Sequence, residues 1–305
     1  GKPGGADDLA GRNPFASGSN AEAIRHHYDI SNEFYQLFLD ERLVYSCGYF
    51  TDFANGIDQA QTDKLEHICR KLRLKPGERL LDIGCGWGAL VCWAAREHGV
   101  RAHGITLSQQ QLEYARERIR SEGLQDLVTV ELRDYRDLEG TAVFDKVSSI
   151  GMFEHVGLAN LPAYYAVVQR VLRPGGLFLN HGITHDEEGW SRTVATEFIN
   201  RYVFPDGELI GSGRIITDIQ NVGLEVRHEE NLREHYARTT REWAKNLSRN
   251  WDECVRLSDL GTARIWGLYL SGSSLGFERN NIQLYQMLGQ KLDDRGHGDY
   301  PLRPD

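Results

Sequence analysis

The stretch Arg79 to Gly99, RLLDIGCGWGALVCWAAREHG, constrains the fold more than any other part of the chain. A short apolar run, Arg79 to Ile83, breaks into glycines at Gly84, Gly86 and Gly88, and a helical pattern follows from Ala89 to His98. A glycine-rich turn between a buried strand and a helix lets backbone amides approach a ligand, with the helix N-terminus facing it. The spacing is G-x-G-x-G, which is neither the dinucleotide G-x-G-x-x-G nor a P-loop. Asp82 stands just before the first glycine, where a carboxylate orients the turn and meets a cationic ligand group. The sulfonium and α-amino group of S-adenosylmethionine fit that demand better than a pyrophosphate does. A purely structural turn is the other reading of the same string.

Around this turn, strand and helix signals alternate. Asp58 to Leu72 has helical spacing and stops at Lys75-Pro76-Gly77. Val100 to Ile105 reads as a second strand, and Ser108 as N-cap of a helix over Gln109 to Ser121. Val128 to Leu132 and Phe144 to Ile150 are short and rich in β-formers. Leu161 to Leu172 is helical and stops at Arg173-Pro174-Gly175-Gly176, before a strand over Leu177 to Asn180. Strands parted by helices of this length imply parallel pairing and a doubly wound sheet. Beyond residue 186 the pattern loosens: a turn at Phe204 to Gly207, a helix over Arg214 to Asn221, a strand over Leu224 to His228, and long helices over Arg238 to Leu257 and Thr262 to Phe277.

The net charge of −9 argues against a nucleic-acid partner, which normally meets a basic face. Five cysteines with no C-x-x-C pair indicate neither a disulfide framework nor a zinc site, so a reducing cytoplasm is expected. No uninterrupted apolar stretch is long enough for a membrane span. Residues 1–20 lack the apolar core of a signal peptide and read as a flexible tail.

Several residues could carry chemistry. The second strand ends without an acidic residue for ribose hydroxyls, so Thr106 and Gln111 are expected to supply those bonds. After the third strand, Asp134 could accept the adenine amino group or cap the next turn, and Tyr135 could stack. Glu154 follows the fourth strand and His181 ends the next one, so both project towards the crevice at the carboxyl ends of the strands. Each also has a bland reading, as a helix-start carboxylate and a satisfied core histidine. His181 and His185 are four apart, but no helix is predicted there, and no metal site is expected.

HYDISNEFYQLFLD, YSCGYF, KLRLKPGERLLDIGCGWG, GITLSQQQ, DYRDL, SIGMFEHVG, RYVFPDGEL, HYARTT and NIQLYQ occur in this order. Together they resemble the cyclopropane fatty acid synthases and mycolic acid cyclopropane synthases, from His27 to about Gln290. The resemblance implies a Rossmann-like class I methyltransferase fold: α/β, a mostly parallel sheet with added N-terminal helices and a helical lipid-binding insertion. It implies tails at 1–20 and 293–305 around one domain at 21–292, made of a helical cap to about 57, a cofactor-binding core over about 58–185 and a substrate-binding segment beyond. It implies S-adenosylmethionine held by Tyr45, Ser46, Gly84, Gly86, Thr106, Leu107, Gln111 and Ile150, with Tyr135 or Arg136 at the adenine. It also implies a bicarbonate ion near the methyl group, held by Cys47, Glu154, His181, a backbone group of Ile183, and Tyr236.

The implied reaction is methyl transfer to the double bond of an unsaturated phospholipid or acyl chain. The resulting carbocation must be shielded from water, and aromatic faces stabilise it without reacting. Bicarbonate, weakly basic and poorly nucleophilic, removes the proton that allows ring closure. The rivals are a methyl- or methylene-branching enzyme and, on the same scaffold, a small-amine N-methyltransferase. Where the family usually reads His-Thr-Ile, this chain has His181-Gly182-Ile183, which removes a hydroxyl and is expected to enlarge the space around the ion. The segment from His185 to Glu197 is polar where an acyl channel should be apolar. The N-terminal lipid-associated domain of the longer synthases is missing from this sequence, so either the short architecture or a fragment is expected. Arg238, Arg241, Lys245 and Arg249 share one helical face, a headgroup-binding candidate for peripheral contact at the inner face of the membrane. A homodimer is left open.

Overall fold

β1 (Arg79–Ile83), β2 (Arg101–Thr106), β3 (Val128–Leu132), β4 (Phe144–Ile150), β5 (Leu172–His185), β6 (Leu224–Asn231) and β7 (Ile282–Lys291) form one sheet in the order β3-β2-β1-β4-β5-β7-β6. β1 to β5 pair in parallel, and β7 runs antiparallel between β5 and β6. This computed structural model describes residues 30–185, 197–199, 202–203 and 209–302. The tail over 1–20, the first part of the cap, the polar stretch 186–196 and the Phe204 to Gly207 turn lie outside the described residues.

Alternation along the strands sends side chains to two faces. Leu80, Ala102 and Val128 pack under α2 (Ile57–Lys71), α3 (Ala89–His98) and α4 (Gln109–Ser121). Leu81, Ile105 and Val147 pack under α5 (Leu161–Val171) and, later in the chain, α6 (Ser212–Asn221). A third apolar cluster joins α1 (Asn32–Gln36) to α7 (Arg233–Arg249), α8 (Trp251–Leu257) and α9 (Leu260–Glu278). Strand order reverses between β1 and β4, so the ligand crevice of such a sheet opens at their carboxyl ends.

Three expectations need correction. β5 is much longer than Leu177 to Asn180, because the chain leaves α5 straight into the sheet and the Pro-Gly-Gly stop is absorbed where pairing with β4 shifts register. His181 therefore lies inside β5, between Ile150 at the end of β4 and Gln286 on β7. The stretch Arg238 to Leu257 is two helices parted at Asn250, and α7 starts early enough to hold Tyr236 in its first turns. β7 itself was not anticipated.

Between α1 and α2 the strap Asp40 to Phe50 crosses the carboxyl edge of the sheet without helix or strand, yet much of it is buried. Its backbone groups need partners all the same. Asp40 Oδ1 accepts from Val44 N–H (2.7 Å), Thr239 Oγ1 from Gly48 N–H (2.9 Å) and His235 Nδ1 from Phe50 N–H (3.0 Å). Gln61 of α2 donates its amide to the carbonyls of Ser46 (2.8 Å) and Val44 (3.2 Å). Gln61→Leu keeps the volume and strands both carbonyls. It should destabilise the protein by about 1–3 kcal/mol in urea unfolding, and an unchanged midpoint would contradict this role.

Candidate active site

Gly84, Gly86 and Gly88 have φ of +81°, +53° and +83°, the left-handed region that side chains avoid, so the turn after β1 is built on glycine for conformational reasons. It forms the floor of a cavity together with Asp82. The far wall is Thr106, Leu107 and Gln111 at the end of β2 and start of α4, where Ser108 Oγ caps the helix as expected. Tyr45 and Ser46 of the strap close the cavity from above, and Ile150 and Tyr135 line the remaining side.

Asp82 is buried, accepts from Ser148 Oγ (2.7 Å), and burial pushes its carboxyl up to about 6. Opposite charge is at hand: the buried Lys64 lines the same cavity and donates to Ser46 Oγ (2.8 Å). Burial pulls its ammonium down to about 8. Thr106 Oγ1 donates to Gln111 Oε1 (2.8 Å), so the two candidate ribose ligands are bonded to each other. Asp134 caps the turn that follows it and holds the Arg136 guanidinium at 2.7 and 3.0 Å. Neither of them lines the cavity; Tyr135 does, with Arg133 beside it.

Glu154 sits in a short helical turn, Phe153–His155, directly after β4. Its Oε1 accepts from Ile183 N–H (3.0 Å), while its buried Oε2 has no partner among the described residues. Burial raises this carboxyl to about 7 against that hydrogen bond. His181 and Ile183 share one face of β5. His181 Nδ1 lies 3.1 Å from Gln286 Nε2, and its buried Nε2 is without a partner among the described residues. Burial, and then the nearby Lys64, Lys71 and His67, hold the imidazole well below its ordinary range.

Cys47 and Tyr236 belong to the third apolar cluster, against which Ile183 packs. The Cys47 thiol is fully buried, bonds to the carbonyls of Gly48 (3.2 Å) and Leu232 (3.8 Å), and is pushed far up by burial. Leu232 also accepts from Tyr236 N–H (3.0 Å), which ties the two residues to one carbonyl. The Tyr236 ring stacks on Phe277 at 4.5 Å. Tyr45 meets Tyr35, Trp243 and Trp266 at 5.5, 5.4 and 6.1 Å, so aromatic faces crowd this end of the strap.

One site expectation changes, while the Ile183 N–H bonds to Glu154 Oε1. Gly182 opens no extra space, because a Cβ there would fall 2.0 Å from the Phe153 ring and 3.0 Å from Glu154 Oε2. The volume of the missing side chain is filled by Phe153. Two cations of the basic face of α7 are paired with carboxylates, Arg241 with Glu278 and Lys245 with Glu242 (2.8 Å), while Arg238 lies over Phe50 at 4.5 Å.

Sequence reasoning passed over Lys64, Gln61 and Gln286. The first two left a signal, since both interrupt the apolar stripe Ile57, Ala60, Leu65, Ile68 of an amphipathic helix. His155, which burial pulls down to about 4, also lines the cavity.

The chain is 52% identical over 286 residues to a probable fatty acid methyltransferase of Mycobacterium tuberculosis, covering 93% of this chain and 66% of that one. It is 38% identical to the cyclopropane-fatty-acyl-phospholipid synthase of Escherichia coli, over 89% of this chain and 68% of that one. The chain thus spans about two thirds of the length of these curated relatives. A mycolic acid cyclopropane synthase crystallised with S-adenosylhomocysteine and CTAB superposes with a TM-score of 0.84 at 29% identity, over 92% of this chain and 99% of that one. Residues 16–287 match the family described as mycolic acid cyclopropane synthetase, and the chain belongs to that family of S-adenosylmethionine-dependent methyltransferases.

Proposed function

We propose that the protein transfers a methyl group from S-adenosylmethionine to the double bond of an unsaturated acyl chain and completes the reaction as a cyclopropane. The observations that carry this reading are two buried polar atoms with no partner among the described residues, Glu154 Oε2 beside Gly182 and His181 Nε2. Unpaired buried polar groups are costly in a core and are kept where a ligand completes them.

The cofactor supplies an electrophilic methyl group. Gly84 and Gly86 bring the backbone close to it, Gln111 and Thr106 face the ribose side, and Tyr135 offers a ring for the adenine. Asp82 and Lys64 give the methionine end a carboxylate and an ammonium for its oppositely charged groups. Asp134 and Arg136 act indirectly, by holding the turn on which Tyr135 sits.

The orphaned atoms fit a small anion of bicarbonate type, which supplies a weak base. A carboxyl group raised to about 7 carries its proton near neutrality and donates it, and a neutral imidazole donates its N–H. Cys47 and Tyr236 shape the apolar side of the same space, and Tyr45 with its neighbouring rings keeps water away from a developing cation. For the acyl chain, α9 is apolar around most of its circumference and exposes Leu268 and Leu275, one heptad apart, as the contact with a lipid surface.

A branched product is the second reading, favoured by the Phe153 ring over Gly182 beside Glu154, which changes the wall against which the base sits. Incubation with a monounsaturated phospholipid and S-adenosylmethionine, followed by NMR of the fatty acid methyl esters, separates the two. Upfield cyclopropane methylene protons are expected; exomethylene signals without them would establish the branch instead.

Glu154→Gln should lower turnover about 10²-fold while leaving cofactor affinity near wild type. It should also change stability against pH. A carboxyl whose folded value is raised from 4.5 to about 7 stabilises the fold fully below 4.5 and loses that contribution as pH rises through 7. The variant should therefore be more stable than wild type at pH 8, by on the order of 3 kcal/mol, and the difference should vanish near pH 4. Parallel wild-type and variant pH profiles of thermal unfolding would contradict the assignment.

A further inference from the structure

His181 reaches the surface through a chain of hydrogen bonds that begins in the NIQLYQ motif. Gln286 of β7 is 1% exposed and lies opposite His181 in the β5–β7 ladder. Its Oε1 accepts from Lys71 Nζ (2.8 Å), and Lys71 also donates to Glu230 Oε2. Glu230 is bonded in turn to His67 Nε2 (2.7 Å), whose ring stacks on Tyr49 at 4.1 Å.

The chemistry of these groups leaves one polarity for the chain. An ammonium has donors only, so the Gln286 atom facing Lys71 must be the amide oxygen. The opposite atom is then the amide NH₂, also a donor, and it faces His181 Nδ1 at 3.1 Å. Nδ1 must accept, which leaves the ring proton on Nε2, the atom with no partner among the described residues. The direction survives only while Lys71 stays charged. Burial favours its neutral form, but Glu230 opposes this; burial likewise works to raise Glu230, and the bonds from His67 and Lys71 hold it down at about 2.

We propose that Gln286 is a positioning residue: anchored by the Lys71–Glu230 pair, it fixes His181 in the Nε2–H tautomer and aims that N–H at the anion site. The importance of that N–H for turnover rests on the function proposed above, but the tautomer itself does not. Glutamine at this position has a consequence that glutamate would reverse. A carboxylate held by Lys71 accepts a hydrogen bond from Nδ1–H, so Gln286→Glu moves the ring proton to Nδ1 and turns Nε2 into an acceptor facing an anion.

The test is imidazole ¹⁵N–¹H correlation on the resting protein, with the His181 signals assigned by their loss in His181→Asn. The wild type should show a protonated Nε2 and a bare Nδ1; a protonated Nδ1 would overturn the proposal. Gln286→Glu should reverse the two nitrogens and reduce kcat at least about tenfold, with KM for S-adenosylmethionine unchanged. Should that variant fail to fold, Lys71→Met releases the amide to flip and should give a mixture of tautomers. A single unchanged Nε2–H form in both variants would show that the relay does not set the proton. A reversed tautomer with undiminished kcat would leave the relay standing and remove His181 from the reaction.

Discussion

A buried backbone without a strand or helix of its own must be satisfied by side chains, and the strap from Asp40 to Phe50 imposes that demand on the whole molecule. Asp40 answers from within the strap, Gln61 and Lys64 from α2, and His235 and Thr239 from α7. The strap and α2 are neighbours in sequence, whereas the α7 partner Thr239 is 191 residues from Gly48. Holding the strap therefore fixes α2 and α7 relative to the sheet. The same bonds set Tyr45 and Ser46 against the glycine turn, and Cys47 against Leu232 and Tyr236. The polar residues on the buried face of α2 thus belong to the strap as much as to the helix.

The half of the fold around the glycine turn was legible because its signals are local. β1, β3, β4, α3 and α4 fall on the expected residues, each bounded by a cap, a glycine or a change of period. The later half hides its signals. β7 carries Gln286 and Gln290, both almost fully buried, so its polar residues mask a core strand. The break at Asn250 leaves no proline or glycine to mark it. Of the candidate site, the positions of the glycines and Glu154 after a strand, and of Asp82 near the end of one, were readable. Gln286 was not, because its partner is 105 residues away and only the sheet brings the two together. The role of Gly182 was misread for a related reason: sequence shows the side chain that is missing but not the Phe153 ring that takes its place.

The region proposed for chemistry is unusual in its charge state rather than in its residue types. Burial drives Glu154 towards its acid and His181 towards its neutral base form, and it keeps Cys47 a thiol. Low dielectric surroundings thus turn ionisable groups into hydrogen-bond donors. Such a site does not itself repel an anion, and it leaves the positive charge expected on cofactor and substrate to be matched by that anion and by aromatic faces. Charged groups are kept one layer back, as Lys71 with Glu230, where they orient without entering.

Dependence of turnover on dissolved bicarbonate tests the central claim, a buried anion site completed by Glu154 and His181, most directly. In buffer stripped of carbon dioxide, methyl transfer to the acyl chain should slow markedly and recover in a saturable way as bicarbonate is restored, while S-adenosylmethionine binding stays constant. Full turnover in the stripped buffer, unaffected by added bicarbonate, would contradict the account.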